Sequence, residues 1–211
     1  MGSFIEITAA DGGRFKAYMA LPASGKGPGI VLCQEIFGIN EYVRETADLY
    51  AEEGYVVLAP DLFWRMQPGV DMGYSPEEWQ KAFEFFQKFD VDAGIKDITA
   101  TVSALRGRPE CSGKVGVLGH CLGGKLAYLA AARSGVDCAV GYYGVGIEGS
   151  LNEKDKIRCP LVLHIAAEDK YVPKEAQEQI KAAFADKPNV EIYTYPGQDH
   201  AFARTKGDHY N

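Results

Sequence analysis

Lys114-Val115-Gly116-Val117-Leu118-Gly119-His120-Cys121-Leu122-Gly123-Gly124-Lys125 decides the reading of this chain. Its first five residues are a short apolar run of strand type. The residues after Gly124, Lys125-Leu-Ala-Tyr-Leu-Ala-Ala-Ala132, are strong helix formers. Between them lies Gly-x-Cys-x-Gly. Strand, sharp turn and helix are the setting in which Gly-x-Ser-x-Gly makes a nucleophile elbow. At such an elbow the nucleophile takes a strained backbone conformation, and its neighbours two residues away must lack bulk. Gly119 and Gly123 occupy those places, and cysteine stands where serine is usual. A helix N-terminus beneath the sulfur favours negative charge there. A buried, inert cysteine in a glycine-rich turn is the competing reading, so partners elsewhere in the chain must decide.

Outward from the elbow, the pattern alternates strand and helix. Gly29–Cys33, Tyr55–Ala59, Cys138–Tyr143, Leu161–Ile165 and Val190–Thr194 read as further strands. Helices are expected from Asn40 to Glu53, over Val91–Leu105 and over Pro173–Phe184. Another is expected after the capping box Ser75-Pro76-Glu77-Glu78. Ser3–Thr8 and Arg14–Met19 flank Asp11-Gly12-Gly13, an N-terminal hairpin signal. The fold class is therefore α/β: a mostly parallel sheet with helices on both faces and an antiparallel hairpin at its start. A single domain over 1–211 is expected.

In such sheets function gathers at the C-terminal ends of the strands. Glu168-Asp169 follows the Leu161 strand, and Asp199-His200 follows the last strand. The order Cys121, Asp169, His200 is the nucleophile–acid–histidine order of α/β-hydrolases. His200 would take the thiol proton, and Asp169 would hold the imidazole tautomer. Spacing alone leaves open which of Glu168, Asp169 and Asp199 turns inward. His120 and His164 read as structural. Gln34-Glu35-Ile36-Phe37-Gly38 follows the Gly29 strand, where one oxyanion donor is expected. The backbone N–H groups of Ile36 and Leu122 are the candidate pair. Glu35 is a carboxylate at a buried strand end, costly unless paired. It is either one half of a structural ion pair or a second base for Cys121.

The formal net charge of −7 argues against nucleic-acid or anionic-membrane partners. No run is long and apolar enough to span a membrane, and no secretory signal is evident. Five cysteines without a Cys-x-x-Cys point to the reducing cytoplasm. Cys33 and Cys138 are expected in the core, and no metal site is expected. Gly144-Val-Gly146-Ile-Glu-Gly149 matches a dinucleotide fingerprint literally. The segment after Gly149 is charged and cut short by Pro160, so no nucleotide cofactor, nor any other, is expected.

With Gln34–Gly38, Val115–Gly124, Gly141-Tyr-Tyr-Gly-Val-Gly146 and His200-Ala-Phe-Ala-Arg204 in view, the chain resembles the dienelactone hydrolase (carboxymethylenebutenolidase) family of the α/β-hydrolases. The resemblance implies a Cys121–His200–Asp169 triad opening a small unsaturated lactone through a thioester, dienelactone to maleylacetate, in aromatic catabolism. It also implies a resting thiol and an arginine, Arg204, that leaves Glu35 when substrate binds, so that Glu35 takes the thiol proton. Arg204, Trp79, Phe83, Phe37 and Tyr143 are the implied substrate contacts. The sequence departs from the family at Trp79, where other members place a second arginine, and at Phe83 and Ala201, where they carry Tyr and Ser. Arg65 is a candidate replacement anchor. The family's final C-terminal helix is expected to be absent from this chain, which would expose apolar surface. A monomer is expected. Two further readings stand beside the lactone hydrolase: a carboxylesterase for a larger, more apolar ester, and a non-catalytic redox-sensing or ligand-binding protein using Cys121.

Overall fold

The computed structural model describes residues 2–210. Eight strands form one sheet: β1 (Ser3–Thr8), β2 (Arg14–Ala20), β3 (Gly27–Cys33), β4 (Val56–Pro60), β5 (Cys111–His120), β6 (Cys138–Tyr142), β7 (Leu161–Ala166) and β8 (Val190–Tyr195). Their spatial order is β1-β2-β4-β3-β5-β6-β7-β8. The pairs β1/β2 and β2/β4 are antiparallel and all others parallel. The expected hairpin thus forms the edge of the same sheet.

The strands of the middle of the sheet read as continuous apolar runs because both of their faces are covered. In β3, Val31 and Cys33 point into the larger core, while Ile30 and Leu32 point into the smaller one. Helix α1 (Glu41–Glu52) covers the smaller core with Tyr42, Val43, Ala47 and Ala51. Its N-cap is Asn40, whose side chain accepts from the Val43 N–H as expected. Helices α3 (Val91–Arg106), α4 (Leu122–Arg133) and α5 (Lys174–Phe184) cover the larger core. Helix α2 (Pro76–Lys88) starts at the capping box around Ser75 and Glu78. A 3-10 segment, Glu148–Lys156, occupies the charged stretch after β6.

Cys138 is a correction to the expected core. It is exposed at the start of β6. The apolar run forms a strand, but Cys138 lies at its exposed start, while Val140 and Tyr142 further along the same face pack against the smaller core. Cys33 is buried as expected. Among the described residues, no helix is long and apolar enough to cross a membrane.

The strand order positions the site. After β3 and β4 the chain returns to the other side of β3 and lays down β5. That reversal opens a crevice at the C-terminal ends of β3 and β5. Glu35 leaves one strand there and Cys121 leaves the other.

Candidate active site

Cys121 caps the N-terminus of α4 with φ 56° and ψ −117°. Its N–H donates to the Tyr142 carbonyl, which pins the turn to the next strand. A Cβ at Gly119 would meet the Gly123 carbonyl oxygen, and one at Gly123 the Cys33 carbonyl oxygen, both closer than atoms can approach. The glycines are therefore what lets the turn close. Only two other non-glycine residues among those described have positive φ: Tyr143 at 38° and Ala201 at 64°. Each such strain costs roughly 1–3 kcal/mol, and all three lie around the same cleft.

His200 Nδ1 lies 2.8 Å from Asp169 Oδ2, with both side chains nearly buried. The other Asp169 oxygen accepts the Tyr171 N–H at 2.8 Å. Of the three candidate acids, Asp169 therefore faces the histidine. Glu168 instead pairs with Lys174, and Asp199 with Lys170. Burial by itself pulls the His200 imidazolium down. The Cys121 sulfur and the Asp169 carboxylate outweigh it and push the imidazole up to about 10. Cys121 and His200 line the same cleft. With Nδ1 held by Asp169, Nε2 is the nitrogen left for the sulfur.

Glu35 and Arg204 meet in the same cleft as Cys121. Arg204 Nη1 donates to Glu35 Oε2 at 3.3 Å, and both side chains are buried. The arginine also lies 4.2 Å over the Tyr74 ring and donates through Nε to the Lys206 carbonyl. Glu35 Oε1 has no hydrogen-bond partner among the described residues. A buried carboxylate oxygen left unpaired is expensive, so this ion pair is held incompletely. The N–H groups of Ile36 and Leu122 also have no acceptor among the described residues.

These groups open into a cleft of about 710 Å³, open space at its mouth included. Glu35, Ile36, Phe37, Trp79, Phe83, Cys121, His200 and Arg204 all line it. Two expected contacts do not. Tyr143 is fully buried beneath the cleft, with its ring edge-on to His200 at 5.0 Å. Its positive φ turns the side chain under the sheet end. Arg65 is held by Asp97 at 2.8 Å and Asp11 at 2.6 Å, and is not on the cleft wall. Its partners come from α3 and the hairpin turn, which the local sequence around Arg65 does not reveal.

Tyr171 was missed at the sequence level. It lines the cleft and sets its ring edge against His200 at 4.9 Å. Its position two residues after Asp169 was the available signal. His120 and His164 sit apart from the cleft. His120 stacks on Tyr142 at 5.0 Å, and burial, with a smaller push from His164, lowers its pKa to about 3. His164 Nδ1 meets the Tyr195 hydroxyl at 2.7 Å. No group of three or more His, Cys, Asp or Glu able to hold a metal occurs among the described residues.

A central parallel sheet, a strained Gly-x-Cys-x-Gly elbow after β5 and an acid and histidine after β7 and β8 define an α/β-hydrolase fold. More narrowly, the chain belongs to the dienelactone hydrolase family, whose model matches residues 15–211. A protein of Azospirillum brasilense is 44% identical over 98% of this chain and 90% of its own length. Carboxymethylenebutenolidase of Pseudomonas putida is 39% identical over 98% of this chain and 88% of its own. A solved structure from Klebsiella pneumoniae subsp. pneumoniae MGH 78578 shares the fold, with a TM-score of 0.85 at 24% identity over 100% of this chain and 91% of its own.

Proposed function

We propose that this chain is a cysteine-dependent hydrolase of a small lactone, working through a thioester. The observation that carries the reading is Cys121 at a strained elbow, on the same cleft wall as a histidine held by a buried carboxylate. Sγ attacks the lactone carbonyl as its proton passes to a base. The N–H groups of Ile36 and Leu122 stabilise the oxyanion, each worth roughly 3 kcal/mol of barrier. When the intermediate collapses, the C–O bond breaks and His200 protonates the departing oxygen, which stays tethered in the ring-opened molecule. Water, deprotonated by His200, then resolves the thioester.

The relatives named carboxymethylenebutenolidase make dienelactone, opened to maleylacetate, the first substrate to test. Such a substrate carries a carboxylate, and Arg204 is the buried cation nearest the reacting groups. A substrate carboxylate that takes Arg204 would leave Glu35 without its one partner. Glu35 would then accept the Cys121 proton, so the nucleophile would be generated only with substrate in place. The incomplete Glu35–Arg204 contact supports this reading.

A second reading, an esterase for a more apolar substrate, is favoured by Trp79 and Phe83 on the cleft wall. Both readings share one test. Stopped turnover of dienelactone or p-nitrophenyl acetate should show by intact-mass spectrometry an acyl adduct on Cys121. No adduct, together with unchanged turnover in Cys121→Ala, rejects the thioester mechanism for both.

A further inference from the structure

Helix α2 carries four aromatic side chains, and they divide. Phe85 turns to the core and stacks on Phe63 at 5.2 Å. Trp79, Phe83 and Phe86, spaced to share one helix face, line the catalytic cleft instead. Trp79 is 36% exposed and Phe83 is 38% exposed. Their rings lie nearly parallel, 5.6 Å apart at 13°. Across the mouth, Trp79 faces Tyr171 at 6.3 Å and 28°, and Tyr171 touches His200. Apolar ring surface is thus left in water in one continuous band from α2 to the catalytic histidine.

The charges nearby do not suit a second anion on this band. Lys170, on the cleft wall, is paired with Asp199 at 3.0 Å. Arg204 lies deeper and is held by Glu35. A carboxylate set against ring faces would meet their negative quadrupoles, whereas a flat ring would stack and shed water from both surfaces.

We propose that the outer cleft recognises a flat, uncharged aromatic or conjugated group of the substrate, with Trp79 as the specificity-determining residue. This rests on the hydrolase reading above and narrows its substrate class. The test uses trifluoroethyl phenylacetate and trifluoroethyl cyclohexylacetate, which share a non-aromatic leaving group and differ in the flatness of the ring. Phenyl is also the more electron-withdrawing ring, so each kcat/KM is divided by the ester's hydroxide-catalysed rate; after that, phenylacetate should be favoured by about fivefold, the usual scale of one aromatic stacking contact. Trp79→Ala should bring that corrected ratio close to one. Because Trp79 is partly exposed, the variant should fold, and circular dichroism verifies it.

Binding is read separately from turnover. Phenylacetamide should quench indole fluorescence more strongly than cyclohexylacetamide at equal concentration. The quench should vanish in Trp79→Phe, since the other indole, Trp64, is stacked on Phe15 and donates to Asp97. Phenylacetamide binding without any ester cleavage would support the aromatic site and reject the hydrolase reading. Ester cleavage with the same corrected ratio in wild type and in Trp79→Ala would overturn the aromatic site and leave the hydrolase standing.

Discussion

The floor of the cleft and its rim are built differently. On the floor, polar groups from separate elements hold one another: Asp169 after β7 holds His200 after β8, and Arg204 holds Glu35 after β3. The backbone there is strained at Cys121 and Ala201. On the rim, Trp79 and Phe83 come from a single helix, sit in unstrained helical positions and stay partly in water. The floor spends stability to place its polar groups, which is how strain is commonly distributed around active sites. The rim costs little and is free to vary. Substitutions on the floor should therefore change rate and stability, while those on the rim should change which molecule is preferred.

The largest break expected is Cys121→Ala. It should lower turnover of an activated ester by about 10⁴-fold, leaving only what binding and the oxyanion donors supply. A loss of tenfold or less in steady-state assays would mean that the floor does not work through this sulfur.

Next comes the buried ion pair. Arg204→Met should leave the Glu35 charge buried without a partner and cost about 3–5 kcal/mol by urea denaturation. Adding Glu35→Gln to that variant should recover most of the loss. Equal stability of the single and double variants would show that the pair is not coupled.

The histidine sharpens the comparison through pH. His200 is raised from the ordinary 6.5 to about 10 by Cys121 and Asp169 against the pull of burial. A raised value in the folded state means that this contribution to stability is complete below about pH 6.5 and is lost as pH rises through about 10. In Asp169→Asn one of the groups that raise it is gone. The melting temperatures of wild type and variant should therefore differ less at pH 10 than at pH 6.5. A constant difference across that range would exclude the coupling.

The smallest effect belongs to the rim. Phe83→Ser should change unfolding free energy by no more than about 0.5 kcal/mol, the scale of exposed positions. A loss of 2 kcal/mol or more would place Phe83 in the core of the fold rather than at its surface.

How much of this could be read along the chain depended on distance. The elbow was legible because its constraint is local: Gly119 and Gly123 answer to atoms within one turn of Cys121 and one neighbouring strand. The Ser75 and Asn40 helix starts were legible for the same reason. The choice among Glu168, Asp169 and Asp199 was not, since adjacent residues differ only in how a loop turns them. Arg65 was misplaced at the substrate because Asp97 and Asp11, distant in sequence, capture it. Tyr143 was misplaced because its unusual φ is a tertiary outcome at the end of β6.

By itself the sequence determined the strand–elbow–helix unit, the order of Cys121, Asp169 and His200 along the chain, and the presence of aromatic residues on α2. All of these arise from periodicity, glycine sterics and capping, which act over a few residues. Only the tertiary structure decided that Glu35 and Cys121 share one crevice, which acid faces His200, and which aromatic side chains are left in water. Each of those depends on strand order and on packing between segments far apart in the chain. Placing β3 beside β5 brings their C-terminal ends together, and no local propensity records that neighbourhood.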